Sequence, residues 1–241
     1  MDRLMTEAGD RFWHPEPFAR DRWVEAQAGT VAAGSWVLDA GAGASKYRPF
    51  FKHCRYQTQD FCQYEGDLVK YLEPVDYVCD IASIPIETGR LDAILCTEVI
   101  EHVADPVFVL REFSRLLKRG GKLWLTSPLL SHLHMEPYHY YGGFTHYWYR
   151  HWLPLAGFVI ESITPVGGPG TTCMIFNKAF YAQWGEAEKG LGFGKKVVSK
   201  CFRALAKIFV HYGFPWILPR FDRWLGSRVI CSGYMVVARR L

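Results

Sequence analysis

The stretch from residue 36 to residue 47, WVLDAGAGASKY, decides the fold. It joins a short apolar run to an aspartate, Asp39, and then to two glycines, Gly41 and Gly43. Glycine adopts positive φ values readily and has no Cβ, so a turn of this composition allows a ligand to approach the backbone closely. In sheets of parallel strands covered by helices, ligands bind where the strands end. The stretch therefore predicts a first strand followed by a ligand-binding turn.

Short apolar runs alternate with helix-length segments along the rest of the chain. Residues 105–121 have apolar side chains at a helical period, and Gly120 and Gly121 are predicted to stop this helix. The alternation predicts an α/β fold with a doubly wound, mostly parallel, seven-stranded sheet and a helical insertion before the last strand. The predicted strands are 35–39, 55–59, 75–79, 91–96, 122–126, 158–164 and 234–240.

The same pattern divides the chain into four expected segments. The largest is the core that carries the glycine turn, and helical segments precede it and interrupt its last hairpin. The expected segments are an N-terminal helical lid at 1–34, a cofactor-binding core at 35–166, a helical insertion at 167–227 and the last core strand at 228–241.

Composition is that of an ordinary globular protein. The 241 residues are 49% hydrophobic and 22% charged, with a net charge of +4, which is too balanced for a disordered chain or a dedicated polyanion binder. The seven cysteines are odd in number and include no CxxC pair, so neither a disulfide framework nor a zinc ribbon is expected. The sequence has no predicted signal peptide or membrane-spanning run, and we expect a cytoplasmic protein.

The charge at the glycine turn indicates the kind of ligand. The dinucleotide fingerprint G-x-G-x-x-G needs a third glycine, and this chain has Lys46 there. Asp39, next to the turn, would also repel a pyrophosphate. Both points disfavour a nicotinamide oxidoreductase. An acidic turn suits a cationic ligand such as S-adenosylmethionine, which carries an ammonium and a sulfonium group.

Several motifs, in order along the chain, resemble those of one enzyme class. VLDAGAG resembles motif I of the class I S-adenosylmethionine-dependent methyltransferases. LDAILCTEVIEHVADP at 91–106 and LKRGGKLWLTSP at 117–128 resemble the methyltransferase family called type 11, although Arg119 replaces the usual proline. The resemblance covers about 36–158 and implies a Rossmann-like fold, methyl transfer and S-adenosylmethionine as the cofactor.

By this resemblance, the cofactor lies across the ends of the first four strands. The residues after the first strand would hold its methionine end, those after the second the ribose, those after the third the adenine, and those after the fourth would form the floor. A carboxylate can accept hydrogen bonds from both ribose hydroxyls, although the acids after the third and fourth strands could instead cap a turn or face solvent. The assigned residues are, in that order, Asp39, Gly41 and Gly43; Asp60 and Phe61; Asp80 and Ile81; Thr97 and Glu98.

The acceptor is expected to contact the segment after the fifth strand, residues 127–158, which is rich in histidine and tyrosine. Three roles stay open for these histidines: a general base for an acceptor hydroxyl, a metal site formed by His132, His134 and His139, or ordinary packing. We predict a catalytic role for His139, then His134, and no metal. Glu98 and His102 are the next candidates for the base.

Basic charge is concentrated between Lys189 and Arg220, a segment with seven Lys and Arg residues and no acid. In KKVVSKCFRALAKIFVH, residues 195–211, apolar side chains share one helical face and basic side chains share the other. Such a helix is typical of a membrane interface or of a protein with an anionic, lipid-linked acceptor. The alternative is a helix that packs on the domain with a solvated basic face.

These features predict methyl transfer to a hydroxyl of a small-molecule, saccharide or lipid-linked acceptor. The alternatives are C-methylation of an aromatic or quinone-like lipid and a non-catalytic, S-adenosylmethionine-binding regulatory protein. The sequence after the fourth strand lacks the N/D-P-P-Y/F/W turn of nucleic-acid amino-methyltransferases, so we expect no nucleic-acid partner. The basic helix adds peripheral attachment to an anionic membrane through residues 195–211 as an expectation.

Overall fold

A computed structural model of the chain describes residues 13–71, 73–225 and 230–241. Its centre is a seven-stranded sheet. The strands are β1 Trp36–Ala40, β2 Arg55–Asp60, β3 Tyr77–Val78, β4 Leu91–Thr97, β5 Leu117–Pro128, β6 Phe158–Val166 and β7 Gly233–Arg240. Their order across the sheet is β3-β2-β1-β4-β5-β7-β6.

Strands β1 to β5 pair in parallel, whereas β7 is antiparallel to both of its neighbours. The predicted α/β fold with a doubly wound, mostly parallel sheet is therefore confirmed. β3 is shorter than the predicted strand 75–79. The Asp76 carboxylate accepts hydrogen bonds from the amide and hydroxyl of Thr58, at 2.8 and 2.9 Å, so a side chain replaces the backbone ladder at that point.

Six helices surround the sheet in the described part of the chain: α1 Pro15–Ala28, α2 Pro106–Leu116, α3 His146–Leu155, α4 Pro169–Glu188, α5 Phe193–Ile208 and α6 Phe214–Leu225. None of the helices in the described ranges is long and apolar enough to cross a bilayer. Residues 1–12 of the expected lid lie outside the described residues, and α1 occupies Pro15–Ala28 of that segment.

The apolar side chains of the central strands alternate between two cores. Leu38 and Ile94 face α2 and α3, while Val37 and Leu95 face α1 and Trp124. All of these strand side chains are fully buried. The near-continuous hydrophobic character of β1 and β4 follows, because both faces of a parallel sheet are covered.

Helix α2 begins as the sequence predicts but ends earlier. The Asp105 carboxylate accepts from the amide of Phe108 at 3.0 Å and caps the helix, and Pro106 occupies its first position. The prediction that Gly120 and Gly121 stop the helix is wrong, because the helix ends at Leu116. Gly120, with φ of 79°, instead forms an irregularity at the start of β5.

Three helices, α4 to α6, are inserted between β6 and β7. We call them the helical insertion. The Asp222 carboxylate of α6 accepts hydrogen bonds from the amides of Gly170 and Thr171 at the start of α4, at 2.6 and 3.0 Å. A Cβ on Gly170 would lie 1.9 Å from the Leu218 carbonyl oxygen, so α4 and α6 pack with backbones in close contact. Residues 226–229, which include the expected boundary, lie outside the described residues.

Helix α5 packs on α4 through its polar face. Arg203 forms an ion pair with the buried Glu188 at 2.9 Å, and the Trp184 indole donates to the Ser199 hydroxyl at 2.8 Å. The apolar face consequently points outward. Its side chains are more than half exposed at Val198, Phe202, Leu205, Ile208 and Phe209. Lys195, Lys200 and Lys207 are exposed as well, so α5 has solvent-exposed basic side chains in addition to its exposed apolar face.

Candidate active site

A cavity of about 420 Å³ lies at the carboxyl ends of β1, β2 and β4. This volume falls in the range of small-molecule sites. Its walls come from the turn after β1, the segment from the end of β2 to the residues after β3, the turn after β4 and the loop after β5. The lining residues are Gly41, Gly43, Gln59, Asp60, Phe61, Gln63, Val69, Tyr71, Val78, Cys79, Asp80, Ile81, Glu98, Val99, His102, Val103, Ala104, Met135, Tyr138 and Tyr140.

The glycine turn has the geometry that the sequence predicts. Gly41 and Gly43 have φ values of 73° and 52°, and a Cβ on Gly41 would lie 2.4 Å from a methyl carbon of Val99. The amide groups of the turn are already used. Gly41 donates to the carbonyl of Gln59 at 2.8 Å, and Gly43 donates to the carboxylate of Asp60 at 2.9 Å. The turn therefore allows close approach but has little capacity to bind a phosphate.

Carboxylates give the cavity its charge. Asp60, Asp80 and Glu98 line it, and no Lys or Arg within the described ranges does so. Asp60 is 6% exposed and also accepts from the Tyr71 hydroxyl and the Cys62 amide, both at 3.0 Å. Asp80 accepts from the amide of Ala82 at 2.9 Å. The cavity therefore favours a cation over an anion.

Glu98 connects the cavity to helix α1. Its backbone has φ of 54°, and its carboxylate accepts from the Thr126 hydroxyl at 2.8 Å. The second oxygen of Glu98 lies 3.2 Å from the guanidinium of Arg20, which also pairs with Glu16 at 3.1 Å. Arg20 is not among the residues that the sequence predicts for the site, because nothing local to α1 indicates a partner in the turn after β4.

Two of the expected cofactor residues lie outside the cavity lining. Side chains alternate along a strand, so Asp39 shares the face of Val37 and Leu95 rather than the side occupied by Ala40. Asp39 is 2% exposed and accepts a hydrogen bond from the Tyr56 hydroxyl; burial raises the pKa of its carboxyl to about 7. Thr97 pairs with Thr126 in the sheet. Asp39 supports the turn from behind.

The other seven expected cofactor residues come together at the cavity. They originate from the ends of four strands that are distant in sequence, as the parallel sheet requires. Phe61 also makes an edge-on contact with Tyr138, at 5.0 Å between ring centroids, and so joins the loop after β5 to the cavity wall. These residues are Gly41, Gly43, Asp60, Phe61, Asp80, Ile81 and Glu98.

Three histidines form a cluster at one wall of the cavity: His102, His134 and His139. The ring centroid of His102 lies 4.8 Å from that of His134 and 5.6 Å from that of His139, and the centroids of His134 and His139 are 4.5 Å apart. Of the three, His102 lines the cavity. Burial lowers the pKa of His102 to about 4, which keeps its ring neutral at neutral pH.

Comparison with known proteins identifies the core. Residues 38–125 match the protein family described as a methyltransferase domain. This range contains the glycine turn, the ends of β2 to β4 and the crossover helix α2. Together with the sheet topology, the match assigns the core to the class I S-adenosylmethionine-dependent methyltransferases, and the class that the motifs indicated is confirmed.

Two kinds of curated relative match part of the chain. The ubiquinone biosynthesis O-methyltransferase of Xanthomonas oryzae pv. oryzae is 51% identical over 105 residues, which cover 39% of this chain and 44% of that protein. The tRNA (carboxymethyluridine(34)-5-O)-methyltransferase ALKBH8 of Macaca fascicularis is 34% identical over 95 residues, or 38% of this chain and 14% of that protein. The chain thus spans less than half of these relatives' lengths.

Solved structures extend the likeness of fold to nearly the whole chain. A methyltransferase from Galdieria sulphuraria superposes with a TM-score of 0.59 at 16% identity and covers 99% of this chain and 93% of that one. Phosphoethanolamine N-methyltransferase 2 of Haemonchus contortus, in complex with S-adenosylmethionine, has a TM-score of 0.51 at 16% identity, with 96% and 55% covered. At these identities the likeness concerns the fold.

Proposed function

We propose that the protein transfers the methyl group of S-adenosylmethionine to a hydroxyl of a small-molecule, saccharide or lipid-linked acceptor. The observation that carries this proposal is the acidic cavity beside a glycine turn whose amides are already hydrogen-bonded. Such a cavity suits the ammonium and sulfonium groups of S-adenosylmethionine and repels the pyrophosphate of a nicotinamide dinucleotide.

The residues of the cavity fit the parts of this cofactor. Gly41 and Gly43 have no side chain and so leave room for the methionine end. A Cβ on Gly41 would lie 2.4 Å from a methyl carbon of Val99, which lines the cavity and would have to move. A carboxylate has about four acceptor positions; Asp60 uses three of them internally and keeps one for a ribose hydroxyl. Phe61 and Ile81 provide apolar surface for the adenine. When bound, the cofactor supplies a methyl group that is electrophilic because its sulfur is positively charged.

The acceptor oxygen needs a base, because a neutral alcohol is a weak nucleophile. His139 and His134, behind His102 at the cavity wall, are the proposed catalytic residues, with His139 taking the proton. The methyl–sulfur bond breaks as the oxygen–methyl bond forms. The loop after β5 positions both histidines: the His139 Nε2 lies 3.1 Å from the Ser131 hydroxyl.

O-methylation is the transfer that the named relatives favour. Both matched relatives are called O-methyltransferases, so C-methylation of a quinone-like lipid is not favoured. The match to these two relatives covers less than two fifths of the chain, which leaves the acceptor undetermined. The tRNA enzyme among the relatives is weakly at odds with our expectation of no nucleic-acid acceptor, and the experiment below therefore includes tRNA.

Incubation with S-adenosylmethionine labelled in its methyl group, followed by separation of lipid, saccharide, small-molecule and tRNA fractions, tests the proposal. We expect alkali-stable label in one of the first three. His139→Ala should lower kcat by about a hundredfold to ten-thousandfold, while His151→Ala, an exposed histidine of α3, should not. Label confined to tRNA would contradict the acceptor class. No label in any fraction would favour the regulatory alternative.

We further propose that the helical insertion attaches the protein peripherally to an anionic lipid surface at the cytoplasmic side. Exposed aromatic side chains continue from α5 into α6, where Trp216 is 57% and Trp224 is 85% exposed. Arg220 lies over the Trp216 ring at 4.5 Å. Trp and Arg side chains of this kind are typical of the lipid–water interface, where an aromatic body and a charged end contact different media.

Exposed basic residues surround this apolar face. Lys195, Lys200 and Lys207 of α5 are exposed, and the segment from Lys189 to Arg220 contains no acid. Basic residues near an anionic surface contribute about 1 kcal/mol each. Charge complementarity therefore supports a lipid surface as the partner of the insertion, and such attachment would bring a lipid-linked acceptor close to the protein.

A further inference from the structure

Three potential metal ligands converge beside the cavity: Glu101, His102 and His134. One ligand atom from each lies within 4.8 Å of the others. Glu101 and His102 belong to the turn after β4, whereas His134 comes from the loop after β5. The loop is fastened to the turn, because the amides of Tyr140 and Tyr141 both donate to the Glu101 carbonyl oxygen, at 3.0 and 3.2 Å.

Both histidines are held in the orientation that metal ligands adopt. The Nδ1 of His102 lies 3.0 Å from the Tyr138 carbonyl oxygen, and the Nδ1 of His134 lies 2.8 Å from the His132 carbonyl oxygen. A carbonyl only accepts, so Nδ1 is the protonated nitrogen in each ring and Nε2 keeps its lone pair. Metal-binding histidines usually donate their other N–H in this way.

One oxygen of the Glu101 carboxyl group is buried without a hydrogen-bond partner in the described part of the chain. The residue is 1% exposed, and its Oε2 has no hydrogen-bond partner among the residues that the structure describes. Its Oε1 lies 3.8 Å from the Nε2 of His102, which is too long for a hydrogen bond. Burying a carboxylate without a partner is costly, and a cation between Glu101 and the two imidazoles would satisfy it.

We propose that Glu101, His102 and His134 bind a zinc ion. Two imidazoles and one carboxylate are a ligand set that zinc uses in catalytic sites, whereas magnesium and calcium prefer oxygen ligands throughout. Zinc–ligand bonds of about 2.1 Å place neighbouring tetrahedral ligand atoms about 3.4 Å apart. Ligand atoms up to 4.8 Å apart must therefore approach one another by about 1.4 Å at most, and His134 is only half-buried and can move.

Three protein ligands leave one position open on zinc. Because His102 lines the cavity, this position faces the acceptor, and an acceptor hydroxyl bound there loses its proton more readily. That role rests on the proposed function, whereas the binding of zinc does not. The hydroxyl proton passes to His139, the oxygen forms its bond to the methyl carbon, and the electron pair of the methyl–sulfur bond remains on sulfur.

Zinc titration of the full chain, after treatment with a chelator and in the absence of cofactor and acceptor, tests the site. A chromophoric chelator serves as competitor, and cobalt substitution gives an optical spectrum that reports imidazole and carboxylate ligation. We expect one zinc per chain. His134→Ala and Glu101→Gln should each lower the affinity by about tenfold or more and should change the cobalt spectrum.

The matched control is His151→Ala, which removes an exposed imidazole from α3 and should leave zinc affinity unchanged. Failure to bind one equivalent of zinc, or equal affinity in the unsubstituted chain and His134→Ala, would overturn the assignment. If Glu101→Gln fails to fold, His134→Ala alone decides. Methyl transfer that persists after zinc removal, together with stoichiometric binding, would overturn the role in acceptor activation but leave the proposed methyl transfer intact.

Discussion

At the scale of single residues, the glycine turn combines a conformational requirement with a spatial one. Gly43→Ala should weaken S-adenosylhomocysteine binding, because its Cβ would enter the cavity wall at 3.3 Å from Val69. The matched control is Gly34→Ala, at φ of 80° and with no atom within 4 Å of the added carbon. Both variants should lose about 1 kcal/mol of stability from the strained φ, measured by urea unfolding.

Only Gly43→Ala should also lose cofactor affinity in a fluorescence or calorimetric titration. An equal effect of the two substitutions on affinity would mean that the turn acts through stability and not through contact with the ligand.

Asp39 provides a test based on pH. Its folded-state pKa of about 7 exceeds the ordinary value of 3.8, and the main cause is burial. Between these values the folded chain keeps a proton that the unfolded chain releases, so this residue lowers stability as the pH rises through that window. Asp39→Asn, which keeps an acceptor for the Tyr56 hydroxyl, should raise the unfolding free energy at pH 8 by at most about 4 kcal/mol.

The gain from Asp39→Asn should disappear below about pH 4, where both states are protonated. Urea unfolding at several pH values measures it, with Asp67→Asn, an exposed acid, as the control. A gain that is the same at every pH would contradict the assigned burial effect.

Sequence and structure agree on residues whose role is local and differ where the role depends on distant contacts. Gly41, Gly43 and Asp60 follow from the ends of strands, which the apolar pattern locates. The side to which Asp39 points depends on strand alternation within a sheet covered on both faces. The contacts of Arg20 with Glu98, and of His134 with Glu101, join segments that only the folded chain brings together.

At the scale of elements, the helical insertion reverses the usual arrangement of an amphipathic helix. The sequence shows the two faces of α5, but the period alone does not indicate which face packs inward. The ion pair between Arg203 and Glu188 and the hydrogen bond of Trp184 fix the polar face against α4. The predicted end of α2 is wrong because it too depends on a contact between distant segments. Leu117 of β5 already pairs with Leu91 of β4, so the strand begins before the two glycines.

The orientation of α5 predicts a specific defect in lipid binding. The double substitution Phe202→Asp and Leu205→Asp removes two side chains exposed by 62% and 61%. Burial of each in lipid is worth about 1.5–3 kcal/mol, so co-sedimentation with anionic vesicles should fall by at least about tenfold. Phe108→Asp, 52% exposed on α2, is the control and should bind as the unsubstituted chain does.

Raising the salt concentration should also release the chain from the vesicles, because exposed charges are screened within about 10 Å at 0.1 M. Equal recovery with neutral and anionic vesicles, or equal losses in the α5 and α2 variants, would contradict attachment through the insertion.

At the scale of the whole molecule, charge is divided between two regions. The cavity is lined by acids at the carboxyl ends of the strands, and the insertion between β6 and β7 carries exposed basic residues. Val166 of β6 and Gly233 of β7 lie opposite each other, and Gly233 also lies opposite Pro128 at the carboxyl end of β5. The insertion therefore leaves the sheet and returns to it at the carboxyl edge, the edge that also carries the cavity.

Calorimetric titration of the chain with S-adenosylhomocysteine, compared with NAD⁺, tests the central claim most directly, because it depends on neither the acceptor, the lipid surface nor the metal. We predict saturable binding of one equivalent of S-adenosylhomocysteine, affinity lowered by about tenfold or more in Asp60→Asn through loss of a charge-assisted hydrogen bond, and no binding of NAD⁺. The absence of saturable S-adenosylhomocysteine binding, or comparable binding of NAD⁺, would contradict the account.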